Sequence, residues 1–262
     1  MVGLKERVGY NDLESKVFMP NEIFEDLSIL HDKGGSQVAF AYSFYYLATW
    51  MYRYCKYDKM NAGIADVKEL LGYHRDNKKI NYIIKKGGAL DQLGYTESST
   101  DYPIAWSYDQ DELEITYLSE LDDYSQKIIR ERTGRNYKIK QPLKAIWRTA
   151  DSYSEGYQDG TFYAIENTHL IPFDVFLYCM ENDIGVVGFY LYSYLSYRCQ
   201  LFKQFDSSME RLGGYIGLSR NTTDKYITKL VDHRLVDYKV NDAVHIKKDV
   251  VNQQPSTFKL KT

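Results

Sequence analysis

Apolar residues recur at helical spacing near the C-terminal end of the chain. Met209, Leu212 and Ile216 follow one another at intervals of three and four residues, which places them on one helix face. Side-chain oxygens in the segment 206–208 can cap the start of this helix, and Gly217 can end it because glycine enters the left-handed region without a Cβ penalty. The pattern predicts a short amphipathic helix followed by a tight turn.

A second amphipathic helix is predicted directly after this turn, with Ser219 as its N-cap. Ile227, Leu230 and Val231 lie on its inner face. The opposite face carries side chains that can bond to base edges or phosphates, and they concentrate in the half of the helix that enters the major groove in helix-turn-helix proteins. An ordinary solvated helix face is the alternative interpretation. The candidate DNA contacts are Arg220, Asn221, Thr222, Lys225, Thr228 and Lys229.

Alternation of apolar and polar residues after this helix predicts a β-hairpin. It runs through residues 236–240 and again through residues 244–246, with a turn at residues 241–242 between them. Lys247 follows the second strand and is included among the predicted DNA contacts. The order helix, turn, helix and hairpin predicts a winged helix.

The first half shows the same order with a more basic second helix. A short helix around Leu70 ends at Gly72, and the next helix is predicted within residues 73–90 with its isoleucines turned inward. Exposed helix faces normally mix charge signs to gain ion pairs one turn apart, but here Asp76 is the single acidic residue. We therefore predict that this face contacts phosphates and bases, with simple solvation as the alternative. The predicted contacts are Arg75, Asn77, Lys78, Lys79, Tyr82, Lys85 and Lys86.

The two halves repeat one plan. The segments beginning at Phe18 and Leu170 are each followed by a Tyr-rich helix, a short helix ended by glycine, and a further helix. Chance similarity between two Tyr-rich halves is the competing explanation. The predicted fold is mainly α with small β wings (α+β), built as two tandem winged-helix (helix-turn-helix) domains in residues 1–125 and 161–262, with a basic connector and linker in residues 126–160.

Charge is segregated along the chain. The net charge of −3 and the pI near 6.0 argue against a protein that coats nucleic acid indiscriminately. Residues 108–124 are acidic and overlap a predicted hairpin at residues 104–118, whose charge would face away from DNA. Residues 127–148 are basic apart from Glu131. That segment is either a connector helix with a linker or an additional arm that contacts phosphates, and the sequence leaves both open.

Familiar catalytic and cofactor motifs are missing from the sequence. It contains no Walker A loop, dinucleotide fingerprint, H-E-x-x-H helix or nucleophile elbow, and its five histidines and three cysteines show no metal-ligand spacing. We therefore expect no enzymatic activity, no cofactor and no metal. Tyrosine is abundant at 26 residues, which indicates packing more than base stacking. The absence of a long apolar run or secretory signal predicts a cytoplasmic protein without a membrane segment.

The segment F-M-P-N-E-I-F-E-D, from Phe18 to Asp26, is followed by a Tyr-rich helix and then by the predicted winged helix. This arrangement resembles the N-terminal domains of replication initiators carried by plasmids and phages of low-GC Gram-positive bacteria. The run from I-P-F-D-V-F to V-D-Y-K is similar to helix-turn-helix replication proteins of the same elements. The resemblance implies binding to repeated origin sequences, often as dimers. It assigns that role to Arg75, Lys78, Lys79, Lys85, Lys86, Arg220, Asn221, Thr222, Lys225 and Lys229.

We expect a non-enzymatic protein of a mobile genetic element that binds double-stranded DNA at specific sites and acts in replication initiation. It is expected to bind as a homodimer, with replication or transcription proteins as possible partners. A transcriptional regulator on the same scaffold is the first alternative, distinguished by whether its site lies in a promoter. A winged-helix module that docks proteins is the second alternative. It is distinguished by salt dependence, because binding through an apolar protein interface would not weaken steeply with salt. A nuclease or relaxase is the third, and it would require divalent metal and cut strands.

Overall fold

The computed structural model of the chain describes residues 4–109, 112–160, 164–240 and 256–260. The helices of the first half are α1 (Leu4–Arg7), α2 (Ile23–Asp26), α3 (Gly35–Arg53), α4 (Tyr57–Met60), α5 (Ile64–Leu70), α6 (Asn81–Ile84), α7 (Ala89–Gln92), α8 (Asp123–Thr133), α9 (Leu143–Ile146) and α10 (Ala150–Glu155). Its strands are β1 (Lys16–Pro20), β2 (Thr96–Ser99), β3 (Pro103–Asp109), β4 (Glu112–Tyr117) and β5 (Ile139–Pro142).

The second half begins with strand β6. Its elements in chain order are β6 (Thr168–Pro172), α11 (Phe173–Glu181), α12 (Gly185–Phe202), β7 (Phe205–Ser207), α13 (Met209–Ile216), α14 (Arg220–Asp232), β8 (Val236–Val240) and β9 (Ser256–Leu260). The described residues therefore form a mainly helical α+β structure with small antiparallel sheets of two and three strands. This confirms the predicted fold class at that level.

Helices α3 and α12 form the centre of the core because they are apolar on nearly all sides. Every α3 residue from Val38 to Tyr52 is buried, and a helix that is hydrophobic all round must be covered on every face. The two helices pack against each other, with the rings of Tyr46 and Phe189 centred 4.9 Å apart. No helix in the described part of the chain is both long and apolar enough to cross a membrane.

Strands β1 and β6 bring the beginnings of the two sequence copies together. They pair antiparallel, and Phe18 lies opposite Leu170, which are the corresponding first positions of the repeat. Backbone hydrogen bonds from Phe173 to Ser15 (2.7 Å) and from Asn21 to Asn167 (2.9 Å) extend the pairing at both ends. The segments that begin at Phe18 and Leu170 thus lie side by side in this strand pair, beside α3 and α12.

The predicted helix pair of the second half is confirmed. Ser208 caps α13, Gly217 follows it with φ +67°, and Ser219 caps α14 by accepting a hydrogen bond from a backbone N–H. The first predicted strand of the following hairpin is also present as β8, whereas residues 244–246 lie outside the described residues. Within the described chain β8 pairs with β9, and β9 pairs in turn with β7, which precedes α13.

The long basic helix predicted within residues 73–90 is wrong. The chain instead forms turns, the single helical turn α6, an extended Lys85 and the single turn α7. The side chain of Asn77 accepts a hydrogen bond from the backbone N–H of Lys79 (2.9 Å), and such local side-chain bonds compete with helix formation. The isoleucines of the segment are nonetheless buried as predicted, at Ile80, Ile83 and Ile84.

The hairpin predicted around residues 104–118 is present as β3 and β4. However, β2, the strand that follows α7, does not pair with this hairpin but with β5, which lies in the segment 126–160 predicted as connector and linker. A buried ion pair between Lys140 on β5 and Asp91 on α7 (2.7 Å) strengthens this attachment. Residues 100–138, with the hairpin and α8, are thus inserted between two paired strands of the first half.

Aromatic side chains fill the core, as the abundance of tyrosine suggests. Among the largest fully buried side chains are Tyr42, Tyr45, Tyr46, Tyr95, Tyr102 and Tyr190. Their rings cannot stack on nucleic acid bases, and desolvation raises the pKa of Tyr45 and Tyr190 far above the usual value for tyrosine. For these residues packing is the role, as predicted.

His169 on β6 is buried beside the strand pair. Its ring nitrogens contact the hydroxyl of Tyr42 (2.8 Å) and the amide oxygen of Asn21 (3.0 Å). Burial lowers the pKa of His169 to about 3, whereas an unfolded histidine titrates near 6.5. The unfolded chain therefore binds more protons between these values, so that stability from His169 is present above about pH 6.5 and is lost as the pH falls.

We expect the unmodified chain to lose about 2 kcal/mol of unfolding free energy through His169 alone between about pH 7 and pH 5. His169→Gln should abolish this part of the pH dependence, because glutamine can hydrogen-bond to Tyr42 and Asn21 without titrating. Urea unfolding at the two pH values measures the difference. His74→Gln, at a side chain that is 80% exposed, is the control and should keep the full loss. The same loss in His169→Gln as in the unmodified chain would refute the assignment.

Candidate nucleic acid interface

The outer face of α14 carries the candidate contacts of the second half. Arg220, Asn221 and Lys225 are exposed and form no hydrogen bond or ion pair through their side chains within the described part of the chain. Thr222 and Thr228 are less available, since the hydroxyl of Thr222 lies 2.9 Å from that of Ser219 and Thr228 donates to a backbone carbonyl of its own helix (3.0 Å). The free side chains therefore lie towards the N-terminal half of α14.

Lys229 does not point freely to solvent. Its Nζ forms an ion pair with the carboxylate of Asp183 (2.7 Å), in the loop before α12. The same carboxylate contacts His233 (3.2 Å), whose other ring nitrogen lies 2.9 Å from the hydroxyl of Tyr178. Hydrogen bonds from Lys229 and His233 lower the pKa of Asp183. These contacts fix the C-terminal end of α14 against the elements beneath it.

The turn before α14 is pressed against the first half of the chain. A Cβ atom on Gly217 would lie 2.4 Å from the ring of His31, and one on Gly35 would lie 2.2 Å from the side chain of Leu218. A Cβ at Gly35 would also lie 2.8 Å from the backbone oxygen of Gly217, and a Cβ at Gly217 would require the ring of His31 to move, so a larger residue at either position would disturb this contact. The helix pair of one half is thus positioned by residues of the other.

The first basic segment, residues 75–86, presents a second set of cations. Lys78, Lys79, Lys85 and Lys86 are exposed and form no ion pair in the described structure. Arg75 is already engaged, because its guanidinium lies 2.6 Å from Asp66 and 3.3 Å from Glu69 on α5. Four of the predicted contacts in this segment are therefore available to a polyanion, and Arg75 is available only if it leaves its partners.

A buried lysine holds the first basic segment in its non-helical path. Lys68 on α5 is 5% exposed, and its Nζ donates to the backbone carbonyl of Asn77 (2.8 Å) and to the side-chain oxygen of Asn81 (2.5 Å). At the other end of the segment, Lys140 donates to the carbonyl of Lys85 (3.3 Å). The exposed lysines are therefore carried on a loop that is tied down at both ends.

Two tyrosines lie in or beside the first basic segment. Tyr73, just before the segment, packs on Phe40, and burial raises its pKa to about 12. Tyr82 was predicted to contact DNA, but its hydroxyl oxygen is buried and has no hydrogen-bond partner in the described structure. Tyr82 thus serves packing more than contact in this conformation.

Sequence reasoning missed the residues that position these surfaces, namely Lys68, Asp183 and His233. Asn77 was a local signal that the segment after Gly72 would turn, because asparagine side chains can bond to the backbone two residues on. No local signal could identify Asp183, which lies far along the chain from Lys229. Lys247 lies outside the described residues. No group of histidine, cysteine and carboxylate side chains in the described chain is placed to hold a metal ion.

Comparison with protein-family models, with curated proteins and with solved structures gave no match to this chain. The candidate interface therefore rests on its own geometry: a basic and amide face on α14 and a cluster of lysines on the anchored first basic segment, both without ion-pair partners among the described residues apart from Arg75 and Lys229.

We expect Lys68→Met to loosen the first basic segment, because two polar oxygens lose their donor, at a cost of about 1–3 kcal/mol. Hydrogen exchange of the backbone amides in residues 77–84 should accelerate, and the urea midpoint should fall. Lys86→Met, at an exposed lysine without an ion pair, is the matched control and should change neither. If exchange in residues 77–84 were unchanged in Lys68→Met, the anchoring role would be wrong.

Proposed function

We propose that this chain is a non-enzymatic protein that binds double-stranded DNA at specific sites, through a winged-helix unit in its second half and the first basic segment in its first half, and that it acts in replication initiation of a mobile genetic element. The observation that carries the proposal is the free face of α14, where Arg220, Asn221 and Lys225 are exposed at the start of a capped helix. Arginine and asparagine are the side chains that read guanine and adenine edges in the major groove.

The order of elements in the second half supports a winged-helix unit. Helix α12, strand β7, helices α13 and α14, and strands β8 and β9 follow one another, and the sheet order is β7-β9-β8. In helix-turn-helix proteins the second helix of the pair enters the major groove while the first crosses the backbone. By this analogy α14 is the recognition helix, and strands β8 and β9 belong to the wing.

The first half supports a different contribution. Its second helix is reduced to the turns around α6, so no long helix is available to enter a groove, but four unpaired lysines remain on an anchored loop. Phosphate contacts give affinity and fix register, whereas base contacts give sequence preference. We therefore assign base reading to α14 and phosphate binding to the first basic segment. The role in replication rests on the resemblance described above.

We expect Lys78→Ala/Lys79→Ala to weaken duplex binding more than Lys225→Ala/Lys229→Ala. The first pair removes two free cations, whereas Lys229 in the second pair is held by Asp183. Each lost phosphate contact reduces the slope of log K against log salt by about 0.9. Titration of a mixed-sequence duplex between about 50 and 200 mM salt should therefore show a slope lower by about 2 for the first pair and by about 1 for the second.

Lys16→Ala/Lys203→Ala serves as the control, since these exposed lysines lie outside both proposed contact surfaces. It should leave the slope close to that of the unmodified chain. Equal losses of duplex affinity from the two test pairs, or a larger loss from the second pair, would contradict the assignment of phosphate binding to the first basic segment. Duplex binding that is absent, or that does not respond to salt, would contradict the proposed function and favour a protein-docking module.

A further inference from the structure

Helix α8 lies within the insertion of residues 100–138, between the paired strands β2 and β5 of the first half. In the second half, the strand after the helix pair, β8, pairs with the later strand β9. In the first half, the strand after α7, β2, pairs with the later strand β5 in the same antiparallel sense. The insertion of residues 100–138 thus joins two paired strands along the chain, as the residues between β8 and β9 do in the second half, and α8 lies in the C-terminal part of this insertion.

The C-terminal end of α8 is fixed to the elements that carry the first basic segment. Asn61, just before α5, donates to the carbonyl of Arg132 (3.1 Å), and the hydroxyl of Tyr137 donates to the carbonyl of Ala62 (3.0 Å). Ile129 on α8 is buried in the core. The end of α8 is therefore held against the start of α5 and is not a free arm.

The same end of α8 approaches the first basic segment through β5. Lys138 lies two residues before Lys140, whose Nζ is 3.3 Å from the carbonyl oxygen of Lys85. Strand residues advance by about 3.3 Å each, so the backbone of Lys138 lies within about 7 Å of that of Lys140. The first basic segment therefore contacts β5 through Lys140, and the exposed residues after α8 lead directly into the same strand.

Several cations at this place have no ion-pair partner among the described residues. Lys127, Arg130, Arg135 and Lys138 are exposed and form no ion pair within the described residues, whereas Arg132 is paired with Asp58. Lys127, Arg130 and Arg135 line an open surface cleft of about 570 Å³. Asp123 and Glu131 also border that cleft, so its three basic side chains exceed its acidic side chains by one.

We propose that the end of α8 and the residues after it, through Arg130, Arg135 and Lys138, bind the phosphate backbone of the same duplex beside the phosphates held by the first basic segment. This inference rests on the proposed function and extends it to a second phosphate-binding surface. It also selects between the two roles that the sequence left open for the basic segment. Because phosphate contacts carry no sequence information, the site preference of the protein does not depend on α8.

The test compares Arg130→Gln/Arg135→Gln with the unmodified full-length chain, by titrating a mixed-sequence duplex several helical turns long with salt. Removal of two phosphate contacts should lower the slope of log K against log salt by about 2 and weaken binding by roughly tenfold at about 150 mM salt. Arg130→Lys/Arg135→Lys keeps both charges and should keep the slope. Lys16→Gln/Lys203→Gln removes the same charge elsewhere and should also keep it.

Three results would overturn the inference. An unchanged slope in Arg130→Gln/Arg135→Gln, with steep salt dependence in the unmodified chain, would remove α8 from the interface and leave the proposed function standing. An equal fall in Lys16→Gln/Lys203→Gln would show an effect of net charge and not of a site. Failure of the unmodified chain to bind the duplex would remove both the inference and the proposed function.

Discussion

Two helices that are apolar on nearly every face, α3 and α12, must be covered from all sides, and the short elements of either half cannot do this alone. Each helix therefore covers the other, and β1 and β6 pair beside them so that the two beginnings of the repeat meet. Burial of large aromatic side chains at this junction supplies much of the apolar area that stabilises the fold. The position of α14 relative to the first basic segment follows from this shared core.

The surface that results contains two kinds of cation. Some, such as Lys68 and Lys140, are buried and hold loops in place through carbonyls, amides or carboxylates. Others, such as Lys78 and Arg220, are exposed and unpaired in the described structure. Burying the anchoring cations costs desolvation free energy, which their hydrogen bonds and ion pairs offset where they fix a conformation. The exposed cations can bind a polyanion and release its counterions. The anchoring of the loops keeps the free cations in place before any ligand arrives.

Local signals in the sequence were sufficient for α13 and α14. Ser208, Gly217 and Ser219 act on the backbone within a few residues, so their capping roles could be predicted without knowledge of the tertiary structure. The basic helix after Gly72 was predicted wrongly because a contact from Lys68, together with the side-chain bond of Asn77, overrode the helical periodicity of the isoleucines. Helix propensity is a weak preference that such tertiary contacts routinely exceed.

Pairings over long sequence separations could not be predicted from the sequence. Strand β2 finds β5 only after the whole insertion of residues 100–138, and the fixed end of α14 depends on Asp183 far upstream. Exposure of the candidate lysines followed from the sequence, since charged side chains are rarely buried without a partner. The sequence did not show which of these lysines form an ion pair within the chain: Lys225 forms none among the described residues, whereas Lys229 pairs with Asp183.

In the proposed function α14 reads bases while the anchored lysines hold phosphates of the same duplex. Selection of bound fragments from a random duplex pool at about 150 mM salt, without added metal, tests it most directly. Recovery of a defined site, with its preference relaxed in Arg220→Ala/Asn221→Ala and retained in Lys78→Ala/Lys79→Ala, is the predicted result. A pool without enrichment, or a preference that depends on the lysines and not on α14, would contradict the account.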